Sequence, residues 1–278
     1  MGFFFSLGDI LKLLSSPRGS GEVSTSLKAG DNLSMFDFAP ADHNATAILR
    51  FFSNDILGTG SNYKGWYNYL EAPIFYVGLL FLLLVPVLFS LVKKRQIIIY
   101  ASILLVWLIP VIFPYFRYAL YLNVGDYYKT GMSFFVPFLI AFLGIIALDK
   151  VFTKKVNPYV VWGAFVFFLM VLYYNYFDSI DGADSIIDKE IRGSILKYLF
   201  IYAVLISLTR VEKIKPYIKY ALIITVCFEA VSSSNITINE REVLRKEDMS
   251  KKIGYNDYTV EAFNFVKQED DSFFRVNN

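Results

Sequence analysis

The strongest constraint on this chain lies in the stretch Asn62–Arg95, where an uncharged apolar run from Ile74 to Val92 stops at Lys93-Lys94-Arg95. A run of that length matches the hydrocarbon thickness of a bilayer when helical, and a basic triplet at its end marks the cytoplasmic side. Ahead of the run stand Tyr67, Tyr69 and Glu71-Ala-Pro73. Glu71 therefore falls just beyond the opposite, outer face.

Composition agrees. Of 278 residues 55% are hydrophobic and 18% aromatic, with a mean hydropathy of +0.45, as in an integral membrane protein with aromatic belts. A net charge of +2 gives no reason to expect nucleic acid as a partner. Cys227 is the only cysteine and His43 the only histidine, which excludes an intrachain disulfide, thiolate metal sites and histidine-rich metal centres. No metal and no cofactor is expected. Walker A, HExxH and dinucleotide-binding glycine patterns are absent from the sequence.

Six hydrophobic runs follow in order: Ile74–Val92, Ile97–Phe116, Gly131–Leu148, Tyr159–Phe177, Ile195–Leu208 and Tyr217–Val231. Pro110 and Pro114 should kink or end the second. The basic sets Lys93–Arg95, Lys150 with Lys154-Lys155, and Arg210 with Lys213 and Lys215 occupy alternate loops. Six spans put all three inside; segment 15–73 and the C-terminus then lie outside. The expected fold is an α-helical polytopic bundle of about six spans. Residues 1–73 supply a partial helix and an outer loop, 74–231 the bundle, and 232–278 the start of a soluble α/β region. Within the outer loop, Ile48, Phe51, Phe52 and Ile56 recur at helical spacing, which predicts an interfacial helix over Ala45–Leu57 capped by Asp42 or Asn44. Val260, Phe263 and Val266 mark a short helix behind Asp257 or Thr259, and SFFRVNN reads as a strand just beginning. A chain ending there is expected to be a fragment of a longer protein.

Few residues carry chemistry. Glu71, beside Tyr69 and Tyr76, is either a base or sugar contact, or an acidic residue favouring the positive end of the following helix. Glu229 sits near the outer end of the sixth run, where an ionisable group suggests function unless it reaches the interface beside Ser232–Ser234. Arg117 and Lys129 flank the second outer loop and can pair with a phosphate, or snorkel to headgroups. Asp178, Asp181, Asp184 and Asp188 read as a solvated acidic loop, without an EF-hand pattern. Asp42-His43 reads as a helix cap, and Asn44-Ala-Thr46 and Asn235-Ile-Thr237 match the short glycosylation pattern.

Four segments together resemble the YfhO-type bacterial membrane proteins. They are Gly58–Leu84 with its aromatics, glutamate and P-x-x-Y-x-G-L; Tyr127–Asp149, where Lys129 stands for an arginine; Phe228-Glu229 with Ser234-Asn235; and Gly254–Val276. The resemblance implies a GT-C-like architecture in the bacterial cytoplasmic membrane. It also implies a glycosyltransferase moving sugar from a polyprenyl-phosphate donor to an envelope polymer such as teichoic acid, alongside membrane partners that supply the donor. Tyr69, Glu71, Tyr76, Arg117, Lys129 and Glu229 become the implied substrate contacts, with Glu71 the candidate catalytic carboxylate. The resemblance implies a catalytic aspartate or glutamate in the first outer loop after the first span, a position expected to lie ahead of Met1. Two other classes fit the residues alone: a transporter or flippase of envelope lipids, and a non-catalytic scaffold.

Overall fold

A run that is apolar on every side has no solvent face to present, so it belongs in an interior. The computed structural model bears this out for the first run. It describes residues 34–66, 69–120, 128, 131–177 and 186–239, and beyond these a few helical positions at 246–247, 261, 264–265 and 268. The chain forms two compact units, Met1–Asn239 and Glu240–Asn278.

The first unit is all helix among its described residues: α1 (Ala41–Leu49), α2 (Leu79–Leu91), α3 (Lys94–Ile112), α4 (Pro114–Leu120), α5 (Gly131–Thr153), α6 (Pro158–Tyr173), α7 (Lys189–Leu208) and α8 (Lys215–Asn239). Eight of the thirteen residues of α2 are buried, which makes it the central rod. α5, α6 and α7 pack around it, α3 leans on α5, and α8 rests on α7. By contrast α3 buries only Pro110 and Val111, and presents Ile98, Ile103 and Val106 outward, as a helix facing lipid does.

Hydrogen bonds tie the helix ends into two groups. At one end Ala39 N–H reaches Ile112 O, Ile74 N–H reaches Ser133 Oγ, and Asp188 N–H reaches Ile56 O. This end gathers the starts of α2, α5 and α7 with the finish of α3. At the other, Lys154 Nζ donates to Leu91 O at 2.5 Å, joining the C-terminal ends of α5 and α2. The three basic sets follow the C-terminal ends of α2, α5 and α7, and so share that second end.

The chain is an α-helical, multi-pass membrane protein, but the count of six full spans is corrected. Among the described residues four helices, α3, α5, α7 and α8, are long and apolar enough to cross. α2 and α6, with 13 and 16 residues, fall short of it. At about 1.5 Å per residue they reach roughly 20 and 24 Å, against about 30 Å of hydrocarbon. The reason is local. Gly78 sits at φ +98°, a conformation that ends helical winding and favours glycine, so 74–78 stay non-helical and α2 begins only at Leu79. α6 stops at Tyr173 because Tyr174 turns extended and Tyr176 Oη donates to the last-turn carbonyl of Val171. α7 begins earlier than its apolar run, since Asp188 Oδ1 caps it by accepting from Glu190 and Ile191 N–H. α8 continues through Ser232–Ser234.

The interfacial helix is corrected too. α1 starts after Pro40, with no side-chain cap, and ends at Leu49; residues 50–57 are turns. The soluble α/β ending is not supported: the described residues of the second unit are helical, and no strand occurs among the described residues. The strand expected over 272–278 and the caps Asp257 and Thr259 lie outside the described residues, as do residues 1–33 and Asp178, Asp181 and Asp184.

The tightest point of the bundle is between α5 and α2. A Cβ added at Gly144 would meet Phe81 Cδ1 at 2.6 Å and Phe81 Cβ at 2.8 Å. Gly163 and Gly193, on α6 and α7, have nothing within 4 Å. Gly144→Ala should therefore lower stability by about 1–3 kcal/mol. Gly163→Ala and Gly193→Ala should leave it unchanged or raise it by up to about 1 kcal/mol through helix propensity. Thermal melting of the detergent-solubilised protein checks all three.

Candidate functional site

An extended segment entering a membrane bundle presents backbone N–H groups that the helix ladder does not satisfy, and they need partners. In 73–78 these partners come from distant elements. Ser133 Oγ of α5 accepts from Ile74 N–H at 3.1 Å, and Asn54 Oδ1 from Tyr76 N–H at 3.4 Å. Glu229 Oε1 of α8 accepts from Leu79 N–H at 2.7 Å. The segment is a bridge between α1 and α2, held open by side chains from three sides.

Glu229 does most of the holding. Its Oε1 also accepts from Tyr76 Oη at 2.5 Å, and its Oε2 from Tyr202 Oη of α7. Three donors and no competing acceptor match an ionised carboxylate, which only accepts. The charge also faces the N-terminus of α2, where the helix dipole is positive. On α8 the buried residues are Ile218, Leu222 and Glu229, so Glu229 lies on the one stripe that turns inward. Ser233 and Thr237 continue it at four-residue steps, and Thr237 Oγ1 bonds Asp55 Oδ2.

Asp55 and Glu229 line the same small cavity of about 20 Å³, with Tyr76, Ser194, Tyr198 and Ser232 around them. That is space for roughly one water molecule. Two carboxylates, phenols and serines thus converge at the end of the bundle opposite the basic sets. Phe52 walls this cavity and also a second, apolar one of about 400 Å³ between α2, α3 and α6, lined among others by Leu82, Pro86, Leu108 and Phe167. A polar recess and an apolar cleft therefore share a wall.

The remaining expected site residues fall in two further places. Glu71 and Tyr69 are half-buried in the turn before Pro73, and Glu71 Oε2 is buried. Tyr69 packs on Tyr63 with ring centroids 5.4 Å apart and under the Arg50 guanidinium, also at 5.4 Å. Burial raises the pKa of Tyr63, with the Arg50 charge acting against it, so the hydroxyl stays protonated at neutral pH. Arg117 is fully buried. Its Nη1 donates to Pro110 O and Val111 O at 2.9 Å each, and its guanidinium lies 4.4 Å from the Tyr128 ring. These are last-turn carbonyls of α3, so Arg117 acts as a C-terminal cap. Lys129 lies outside the described residues. The structure thus brings Tyr76 and Glu229 into contact, and gathers Tyr69 with Arg50 and Tyr63.

Arg50, Asp55 and Tyr202 were not singled out from the sequence. Tyr202 was hidden in an apolar run, and Asp55 in a segment read as an amphipathic helix. For Asp55 the available signal was the polar stripe Glu229, Ser233, Thr237 on an otherwise apolar helix, which requires a polar partner. The asparagine sequons are engaged locally: Asn44 Nδ2 donates to Ala39 O, Thr46 Oγ1 accepts from Trp66 N–H, and Asn235 Oδ1 accepts from Asn239 Nδ2. His43 packs on Trp66 with ring centroids at 3.9 Å. Among the described residues no three His, Cys, Asp or Glu side chains gather as a metal set.

Glu229 and Tyr202 should show strong energetic coupling. Tyr202→Phe removes one bond to the buried carboxylate and should lower stability by about 1–3 kcal/mol. Glu229→Gln should do so by at least as much, and the double variant should fall clearly short of the sum. Melting curves of the four proteins in one detergent measure it; additive losses would mean the two residues do not share an interaction.

The family described as bacterial membrane protein YfhO matches the chain over residues 36–278. No curated protein and no solved structure matches it.

Proposed function

The chain belongs to the YfhO family of bacterial membrane proteins, and from that premise we propose a membrane glycosyltransferase that moves a sugar from a polyprenyl-phosphate donor to an envelope polymer such as teichoic acid. The observation that carries this reading is the shared wall at Phe52, with a carboxylate-lined recess on one side and an apolar cleft on the other. The cleft, at about 400 Å³, has room for part of an isoprenoid chain, while the recess, with room for about one water, marks the polar edge that a head group would approach rather than enter.

In this reading the end bearing Asp55, Glu71 and Glu229 faces outward, and the basic sets lie in the cytoplasm, following the positive-inside rule. The long segment before α2 and the C-terminus are then outside. The acceptor hydroxyl loses its proton to a carboxylate as its oxygen bonds the anomeric carbon, while the bond from that carbon to the carrier phosphate oxygen breaks. Glu71, on the half-exposed turn, is the carboxylate proposed to meet the acceptor, with Tyr69 packing against the sugar. Glu229 and Tyr76 are positioning residues: they hold the extended segment that carries Glu71 into place. Arg117 supports the same end from beneath by capping α3, and Lys129 is proposed to meet the carrier phosphate.

Glu71→Gln in the intact protein should lower sugar transfer by about 100-fold or more, the usual worth of a general base, with its membrane level unchanged. Glu229→Gln should lower transfer together with thermal stability. Transfer from a synthetic polyprenyl-phosphate sugar to purified polymer, in proteoliposomes, reads both. Full activity in both variants would overturn the site. Movement of the lipid across the bilayer without transfer would replace the reaction with lipid transport.

A further inference from the structure

A guanidinium cannot shed its charge, so burying one away from water requires an anion or a full set of acceptors. Arg50, at the C-terminal end of α1, is 2% exposed and has neither. Its Nε and Nη1 are buried without a hydrogen-bond acceptor, and among the described residues it forms no ion pair. What surrounds it is aromatic. The guanidinium carbon lies 5.6 Å from the Tyr63 ring centroid and 5.4 Å from that of Tyr69, while the two rings are 5.4 Å apart. The three groups make a nearly equilateral triangle. Cation–π contact fixes the plane of the guanidinium but satisfies none of its N–H donors. The Tyr63 hydroxyl, facing Arg50 and Thr46, is also buried and makes no hydrogen bond of normal geometry.

Two acids of this end are engaged elsewhere. Asp55 bonds Thr237, and Glu229 is held by Tyr76, Tyr202 and the start of α2. The other arginine buried among the described residues, Arg117, donates to the carbonyls of α3. Among the described residues Arg50 is therefore a buried cation with donors to offer, on the same end of the bundle as the carboxylate recess. It is followed directly by Phe51 and Phe52, which wall the apolar cleft.

We propose that Arg50, steadied by Tyr63 and Tyr69, is the binding residue for a phosphate oxyanion. A phosphate suits the arrangement because a planar guanidinium offers several donors to its tetrahedral oxygens, and the protonated Tyr63 hydroxyl adds another. The phosphate is either borne on a lipid or free. The proposal deepens the transferase reading by adding Arg50 to Lys129 as a phosphate contact, and it rests on that reading only for what the phosphate carries.

The test is binding, measured by calorimetry and thermal shift on the intact protein in a phosphate-free, uncharged detergent. The probes are farnesyl phosphate, farnesol and inorganic phosphate. Farnesyl phosphate should bind at least 10-fold more tightly than farnesol, and Arg50→Gln should erase that difference. Inorganic phosphate competing for the site would identify free phosphate as sufficient; farnesyl phosphate binding without such competition would identify a lipid-borne group. Without ligand, Arg50→Gln should melt no lower than the parent, because it removes an uncompensated buried charge; an arginine that merely holds the fold would do the reverse. Tyr63→Phe, which keeps the ring and removes the hydroxyl, should weaken farnesyl phosphate several-fold and leave farnesol unchanged. If Arg50→Gln fails to fold, Arg50→Lys and Tyr63→Phe decide the matter by the same comparison. Equal binding of farnesyl phosphate and farnesol by the parent protein, or a phosphate preference that survives these substitutions, overturns the proposal. Loss of sugar transfer with phosphate preference intact would count against the transferase alone.

Discussion

The bundle depends on how its central helix is terminated. α2 is short, mostly buried, and packed among helices that supply partners to both its ends. Both ends are met by charges from other helices. The Glu229 carboxylate lies at the N-terminal amide of Leu79, and the Lys154 ammonium at the carbonyl of Leu91. Each charge has the sign that its end of the helix dipole favours. A buried helix end without partners would be strongly unfavourable, and here the partners come from α8 and α5. The same two contacts therefore satisfy α2 and fasten two outer helices to it.

The segment before α2 follows from this arrangement. Because α2 starts at Leu79 and not at Ile74, about one and a half turns of chain remain extended at the edge of the bundle. Such backbone is tolerated at membrane depth where protein groups take up its donors, as Ser133, Asn54 and Glu229 do. The segment carries Tyr76, and Tyr69 and Glu71 stand just ahead of it. A carboxylate-rich recess and an exposed turn thus arise from one shortened helix.

Much of this was legible in the sequence. The apolar runs located α2, α3 and α5 to α8, though not α4, the basic sets ended up at one end, and Glu229 stood out as an ionisable residue on an apolar helix. What stayed hidden was set by contacts distant in sequence. Hydropathy could not show that Gly78 takes a positive φ, since the residues 74–77 are as apolar as the helix that follows. Nor could it show that Arg117 turns inward to α3, because a loop arginine reads the same whether it faces lipid phosphate or a helix end. Arg50 was obscured by its place within an apparent amphipathic helix that in fact stops one residue earlier.

The inward stripe of α8 also bears on biogenesis. As an isolated segment α8 carries an ionisable group into hydrocarbon with nothing to offset it, which is unfavourable for lateral release into lipid. Its compensating donors, Tyr76, Leu79 and Tyr202, all precede it in the chain and are synthesised first. The last helix of this unit is thus matched to a receptor already built by the earlier ones. Its integration is coupled to their prior assembly, so the order of translation is also the order in which the polar interior can close.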